Sequence, residues 1–189
     1  MRRVFWVRHG PTHAKCMVGW SDLPADLSDT AQLARLSTFL PAGAPLVSSD
    51  LSRAVQTADA LAAGRPRQAH DPSLREMHFG DWELKHHAEI EDQAHARRFW
   101  ENPGDIRPPG GESWHQLATR VDAAVARLLA AHAGDLIIVA HFGPILTQLQ
   151  QALGLTPTEA FSHRIDNLSV TELHQCGAGW HAARFNHLP

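Results

Sequence analysis

The sequence predicts an α/β domain, a three-layer sandwich with a mainly parallel central sheet and helices on both faces. Three observations carry that expectation. Residues 4–7 (VFWV) and 136–140 (LIIVA) are apolar runs too short for a helix core, rich in the β-branched and aromatic side chains of buried strands. Strand-like runs alternate with amphipathic helical stretches, the pattern of a parallel sheet whose right-handed crossovers cover both faces. Both apolar runs also empty into a histidine-bearing turn: Arg8-His9-Gly10-Pro11-Thr12 after the first, His141-Phe142-Gly143-Pro144 after the second. Ligands of open α/β sheets bind outside the carboxyl ends of the strands. Those turns are therefore the first place to look for chemistry.

The elements follow in order. After the strand at 4–7, a polar stretch with Gly19, Asp22 and Pro24 reads as a loop over the strand end. Ser28 is the expected N-cap of a helix carrying Leu33, Leu36 and Leu40, which ends near Pro41. Residues 46–48 form a short second strand. A helix follows with Leu51, Ala54, Val55, Ala58, Leu61 and Ala62 as its core stripe, closed by Gly64 and Pro66. Residues 67–70 suggest a short edge strand. From 71 to 111 the pattern weakens. Residues 85–100 are charged, His-rich and plausibly helical with few core positions, and Pro103 to Gly111 read as a loop. Ser113 and Gln116 make a capping box for a four-turn helix that Gly134 closes. The strand at 136–140 leads to a helix with Pro144 at its first position and Gly154 at its end. A short helix after Pro157 and a hairpin, 168–174 with 180–185, complete the chain.

A length of 189 residues suits one domain, 1–189, with a variable lid-like insertion around 81–110. The formal net charge of −3 does not point to nucleic acid or a membrane, so an anionic ligand needs a local cluster of cations. Two cysteines, Cys16 and Cys176, stand far apart outside any metal spacing; with no room for a leader before the first strand, a reducing, cytoplasmic setting is expected. No apolar run approaches a membrane span. No coiled-coil stripe speaks to oligomeric state.

A parallel sheet gathers three strand exits on one edge: Arg8 and His9, Arg53, and His141. Arg53 lies in the first turn of its helix, where the macrodipole disfavours a cation by up to ~1 kcal/mol. A bound phosphate would resolve that conflict, because a helix N-terminus and an arginine both suit phosphate.

Five motifs in order then resemble the histidine phosphatase superfamily, also called phosphoglycerate mutase-like. They are Arg8-His9-Gly10-Pro11-Thr12, Ser48-Ser49-Asp50-Leu51-Ser52-Arg53-Ala54-Val55-Gln56-Thr57-Ala58, Leu74-Arg75-Glu76 through Gly80 to Trp82-Glu83, Pro109-Gly110-Gly111-Glu112-Ser113, and Ala140-His141-Phe142-Gly143. The resemblance implies that His9 is the nucleophile, forming a phosphohistidine, with an acceptor for its other ring proton still to be found. It implies that Arg8, Arg53 and His141 cradle the phosphoryl oxygens and that Glu76 is the general acid, its pKa raised. The arginines would take the place of a metal ion, so neither metal nor cofactor is expected. Thr12, Lys15, Gly19 and Phe142 complete the expected phosphate and substrate contacts. Lys15 falls near a position where the family often has Asn, Pro11 replaces the usual Glu, Phe142 replaces a Gly beside His141, and Leu84 replaces the Gly after Glu83.

The expected activity is metal-independent hydrolysis of a small phosphomonoester. Among the small members, α-ribazole phosphatases are similar in length and in an early Gly-x-x-Asp-x-Pro loop. Mutase-type phosphoryl transfer uses the same groups but generally a longer chain. A phospholigand-binding module with little turnover is a second class, and a metal protein using His9 and His13, or His86 and His87, is a third.

Overall fold

Parallel strands buried on both faces need apolar side chains at every position, and the first strand meets that demand. The computed structural model describes residues 2–177 and 179–189. Strand β1 (Arg2–Arg8) buries Val4, Phe5, Trp6 and Val7. It pairs in parallel with β3 (Leu136–Ala140), which pairs in parallel with β2 (Leu46–Ser48). On its other side β1 pairs antiparallel with β4 (Val170–Cys176), which pairs antiparallel with β5 (Gly179–His187). The order is β2-β3-β1-β4-β5, and four of the five strands point the same way. Between β4 and β5, Ala178 of the expected turn lies outside the described residues.

The period-two alternation of the strands splits the apolar interior into two layers. Phe5, Val7, Ile137 and Val139 face helices α1 (Thr30–Phe39) and α2 (Ser52–Ala60) through Leu33, Leu36, Ala54 and Ala58. Val4, Trp6, Leu136 and Ile138 face α4 (Trp114–Ala131) and α5 (Phe142–Leu153) through Leu117, Val121, Ile145 and Leu149. Helices α3 (Gln93–Glu101) and α6 (Pro157–Ala160) border the second layer. The three-layer sandwich is thus present.

Several boundaries differ from the sequence expectation. Asp29, not Ser28, caps α1, because Ser28 is held in a turn by Asp26 while the Asp29 carboxylate accepts from the Gln32 N–H at 2.9 Å. Residues 67–70 form no strand; a single parallel bridge joins Arg67 to Leu46. The helix expected over 85–100 begins only at Gln93, behind an Asp92 cap, and a lone 3-10 turn occupies His87–Glu89. The stretch from 81 to 110 also holds more core than its polarity suggested, since Trp82, Ile90, Ala96 and Phe99 are buried in the second layer. Pro144 is the third residue of α5 rather than the first; its missing N–H costs nothing anywhere in the opening turn.

One guanidinium closes two helices. Arg65, 6% exposed, donates to the carbonyls of Ser37, Leu40, Pro41 and Leu61 at 2.6 to 3.0 Å, at the C-terminal ends of α1 and α2. Among the described residues no helix is long and apolar enough to cross a membrane.

Candidate active site

Strand register builds the site. Arg8 lies opposite Ala140 and Ser48 opposite Val139, so the chain leaves β1, β2 and β3 side by side. The His9 N–H donates to Ala140 O at 3.1 Å, and the Ser49 N–H to Val139 O at 3.1 Å. His9 and His141 stand with ring centroids 5.0 Å apart.

The His9 ring is buried, with Nδ1 2.6 Å from the Gly10 carbonyl. A carbonyl only accepts, so Nδ1 carries the proton and Nε2 keeps its lone pair. This carbonyl is the acceptor that sequence could not identify. The turn beneath is pinned twice: the Gly10 N–H donates to Thr57 Oγ1 at 2.9 Å, and Asn167 Nδ2 donates to His9 O at 2.7 Å. Burial, with help from the charge of Arg53 and then of Arg8, lowers the His9 pKa to about 3. The ring is neutral at physiological pH.

His141 is fully buried, and its Nε2 lies 2.9 Å from Ser49 Oγ. Its pKa falls well below the ordinary value, first through burial and then through His9 and Arg53. Its Nδ1 has no hydrogen-bond partner, and neither does Nε of Arg8; both atoms are buried.

Each arginine is oriented by backbone oxygen. Arg8 Nη1 donates to Ile165 O at 2.6 Å, and its guanidinium stands 5.5 Å from the centroid of the Phe142 ring. Arg53 Nη1 and Nη2 donate to Ser21 O at 2.9 Å and Gly19 O at 2.6 Å. Burial lowers both pKa values, though not enough to matter for a guanidinium. Asp22 accepts from the Ser52 N–H and hydroxyl, both at 2.7 Å, and so brings a carboxylate to the N-terminus of α2, where Arg53 alone would oppose the dipole. Glu83 holds the loop that presents those carbonyls: it accepts from the N–H groups of Gly19, Trp20, Ser21 and Phe79 and from the Ser21 hydroxyl.

Glu76 is buried with Oε1 2.9 Å from both the Met77 N–H and the Gly143 N–H in the first turn of α5. Burial raises its pKa, while those N–H groups and the two arginines pull the other way. Gly143 has to be glycine, because a Cβ there would stand 2.3 Å from Glu76 Oε1 and 3.0 Å from Leu117. Arg120 secures the segment from below. It donates to the carbonyls of Ser73, Arg75 and Glu76 and pairs with Glu112, which itself accepts from the His78 N–H.

Arg8, His9, Arg53, Glu76 and His141 therefore converge. The remaining expected residues behave differently. The Gly19 N–H donates to Glu83 and its carbonyl accepts from Arg53, so Gly19 orients the cation. Phe142 is half-buried against Arg8. Thr12 is half-buried and Lys15 exposed, and among the described residues no hydrogen bond ties either to the five. Sequence reasoning missed Ser49, Thr57, Glu83, Glu112, Arg120 and Asn167. Ser49, Glu83 and Glu112 stood inside recognisable motifs with no role attached, and Thr57 follows Arg53 by one helical turn. Asn167 carried no signal. Among the described residues no group of three or more His, Cys, Asp or Glu side chains converges as a metal site would.

The profile of the histidine phosphatase superfamily (branch 1) matches residues 4–188. The adenosylcobalamin/alpha-ribazole phosphatase of Escherichia coli K12 is 30% identical over 174 residues, covering 87% of this chain and 85% of the relative. The glucosyl-3-phosphoglycerate phosphatase of Mycolicibacterium vanbaalenii is 36% identical over 173 residues, covering 82% and 76%. The solved structure of YhfR from Bacillus stearothermophilus superposes with a TM-score of 0.89 at 28% identity, covering 100% of this chain and 98% of that one. With a profile that spans the sheet from β1 to β5 and the paired histidines at its edge, the chain belongs to the histidine phosphatase superfamily.

Proposed function

We propose that this protein hydrolyses a small phosphomonoester through a phosphohistidine on His9, with no metal ion in the chemistry. One observation carries the reading: two buried nitrogens, the donor Arg8 Nε and His141 Nδ1, lack partners among the described residues beside a neutral histidine whose Nε2 is free. Buried donors are seldom left unsatisfied, and phosphoryl oxygens are the acceptors that two guanidiniums and an imidazole suit best.

The steps follow from the groups. Arg8, Arg53 and His141 hold the phosphoryl oxygens and stabilise the charge that gathers on them, which is most of what phosphoryl transfer needs. His9 Nε2 forms a bond to phosphorus as the ester P–O bond breaks. Glu76, whose pKa burial raises, is the group placed to give a proton to the departing oxygen. The same carboxylate then takes a proton from water. The water oxygen bonds to phosphorus, the P–N bond breaks, and phosphate leaves with His9 restored.

The Escherichia coli and Mycolicibacterium vanbaalenii relatives are named as phosphatases and a Proteus mirabilis relative as a probable phosphoglycerate mutase; α-ribazole phosphate, which the name of the Escherichia coli relative suggests, is the first substrate to try. Free Cys16 and Cys176 agree with a cytoplasmic setting. The test is phosphate release from a panel of phosphomonoesters at pH 5 to 9 with chelator present, beside His9→Ala. Release by the native protein alone, with phosphate on His9 by mass spectrometry, supports the reading. Hydrolysis by His9→Ala overturns it; transfer between glycerate phosphates in place of hydrolysis indicates a mutase, and binding without turnover a binding module.

A further inference from the structure

We propose that the cavity beside Glu76 is a subsite for a single aromatic ring carried on the leaving group of the phosphomonoester, an inference that rests on the phosphatase reading. The cavity measures about 80 Å³ and is lined by Glu76 and Gly143 together with the rings of Phe79, Trp100, Phe142 and Phe161. Among the described residues, Glu76 is the one titratable side chain in that lining.

Position links the cavity to the reaction. The acid that protonates the departing oxygen must touch it, and Glu76 belongs both to the site and to the cavity wall. Phe142 is the partition, with Arg8 5.5 Å from its ring centroid and the cavity also against it. An ester oxygen within reach of Glu76 thus has the cationic cradle on its phosphorus side and an apolar hollow on its carbon side.

The walls are already assembled. Trp100 packs on Phe79 with centroids 6.1 Å apart and edge-on to Phe161 at 6.1 Å, and Phe161 packs on Trp114 at 4.6 Å. A ring entering edge-first meets the aromatic faces in the geometry that aromatic pairs prefer. Size sets the limit. The cavity measures about 80 Å³, about half the volume of an apolar cavity of ~150 Å³ that takes up benzene whole, so a single ring enters in part, by its edge. A carboxylate there would meet apolar rings and the Glu76 carboxyl, with no cation to pair it.

The test compares kcat/KM for benzyl phosphate and ethyl phosphate, whose leaving alkoxides differ little in basicity. Benzyl phosphate is expected to be roughly 10- to 100-fold better, the span that apolar pockets achieve. In Trp100→Ala the benzyl-to-ethyl ratio should fall toward one, and in Phe161→Leu, which keeps an apolar wall, it should fall less. Because the ratio is taken on one preparation, a misfolded fraction cancels. Equal kcat/KM for the two esters in the native protein, or a ratio unmoved by Trp100→Ala, overturns the subsite and leaves the phosphatase reading intact. Failure to hydrolyse any phosphomonoester overturns both.

Discussion

Ser49 Oγ lies 2.9 Å from His141 Nε2, and the Leu51 N–H donates to the same oxygen at 3.2 Å. That backbone donor occupies one of the two Ser49 lone pairs; when the hydroxyl gives its proton to Nε2, the ring proton of His141 sits on Nδ1, the buried atom with no partner among the described residues. A serine on β2's exit is thus placed to set the tautomer of a histidine on β3's exit. Ser49→Ala frees the ring to take the other tautomer and should lower kcat on alkyl phosphates by roughly 10²-fold, the scale of one lost oxyanion donor. Ser49→Thr should recover most of it. Unchanged kcat in Ser49→Ala would show that the tautomer is set elsewhere.

Gly143→Ala should disable the general acid. The added methyl group would displace the Glu76 carboxylate from the α5 N-terminus. Hydrolysis of ethyl phosphate should fall about 10²-fold or more, whereas a nitrophenyl ester, whose anion leaves without a proton, should lose far less. Equal losses on both esters would point to a general collapse of the site.

The buried histidines set the acid side of stability. Unfolded, His9 titrates near 6.5; folded, near 3. Between those values the unfolded chain binds a proton that the folded one refuses, so stability is complete above about pH 6.5 and declines as pH falls toward 3. His141 acts in the same direction. Urea unfolding midpoints should therefore drop from pH 7 to pH 4, and less steeply in His9→Asn. Glu76 has the opposite sign, and activity on alkyl phosphates should fade as rising pH removes its proton. That alkaline limb should be absent in Glu76→Gln.

Arg65 should matter for the fold and not for the chemistry. Arg65→Ala leaves the carbonyls at the C-terminal ends of α1 and α2 without their shared donor and should cost about 2–4 kcal/mol in urea unfolding. At permissive temperature kcat should stay within about twofold. A mutant as stable as the native chain would mean that water replaces the guanidinium.

Much of this was legible in the chain because buried parallel strands admit only apolar residues. β1, β2, β3 and the capping box of α4 could be read directly. Strand exits then named Arg8, His9 and His141, and the misplaced cation in a first turn named Arg53. Glu76 came only through resemblance, since nothing in a local stretch around Met77 marks a carboxylate that will meet α5. The residues missed act through partners far away in sequence: Ser49 on His141, Glu83 on the 19–21 loop, Asn167 on His9. Hydrogen bonds of that kind leave no periodicity. The segment before α3 misled for the opposite reason, because Trp82 and Ile90 reach the core from irregular backbone that no helical or strand pattern announces.

Arg8 and Arg53 rest on the carbonyls of Ile165, Gly19 and Ser21, and among the described residues neither pairs with a carboxylate. Neutral oxygens fix direction without cancelling charge. A pocket built this way to draw in a phosphate ester should be equally welcoming to the free phosphate left behind. Inorganic phosphate should therefore be both a competitive inhibitor and a thermal stabiliser of the fold, so that the phosphate level around the enzyme would act as a brake on its turnover.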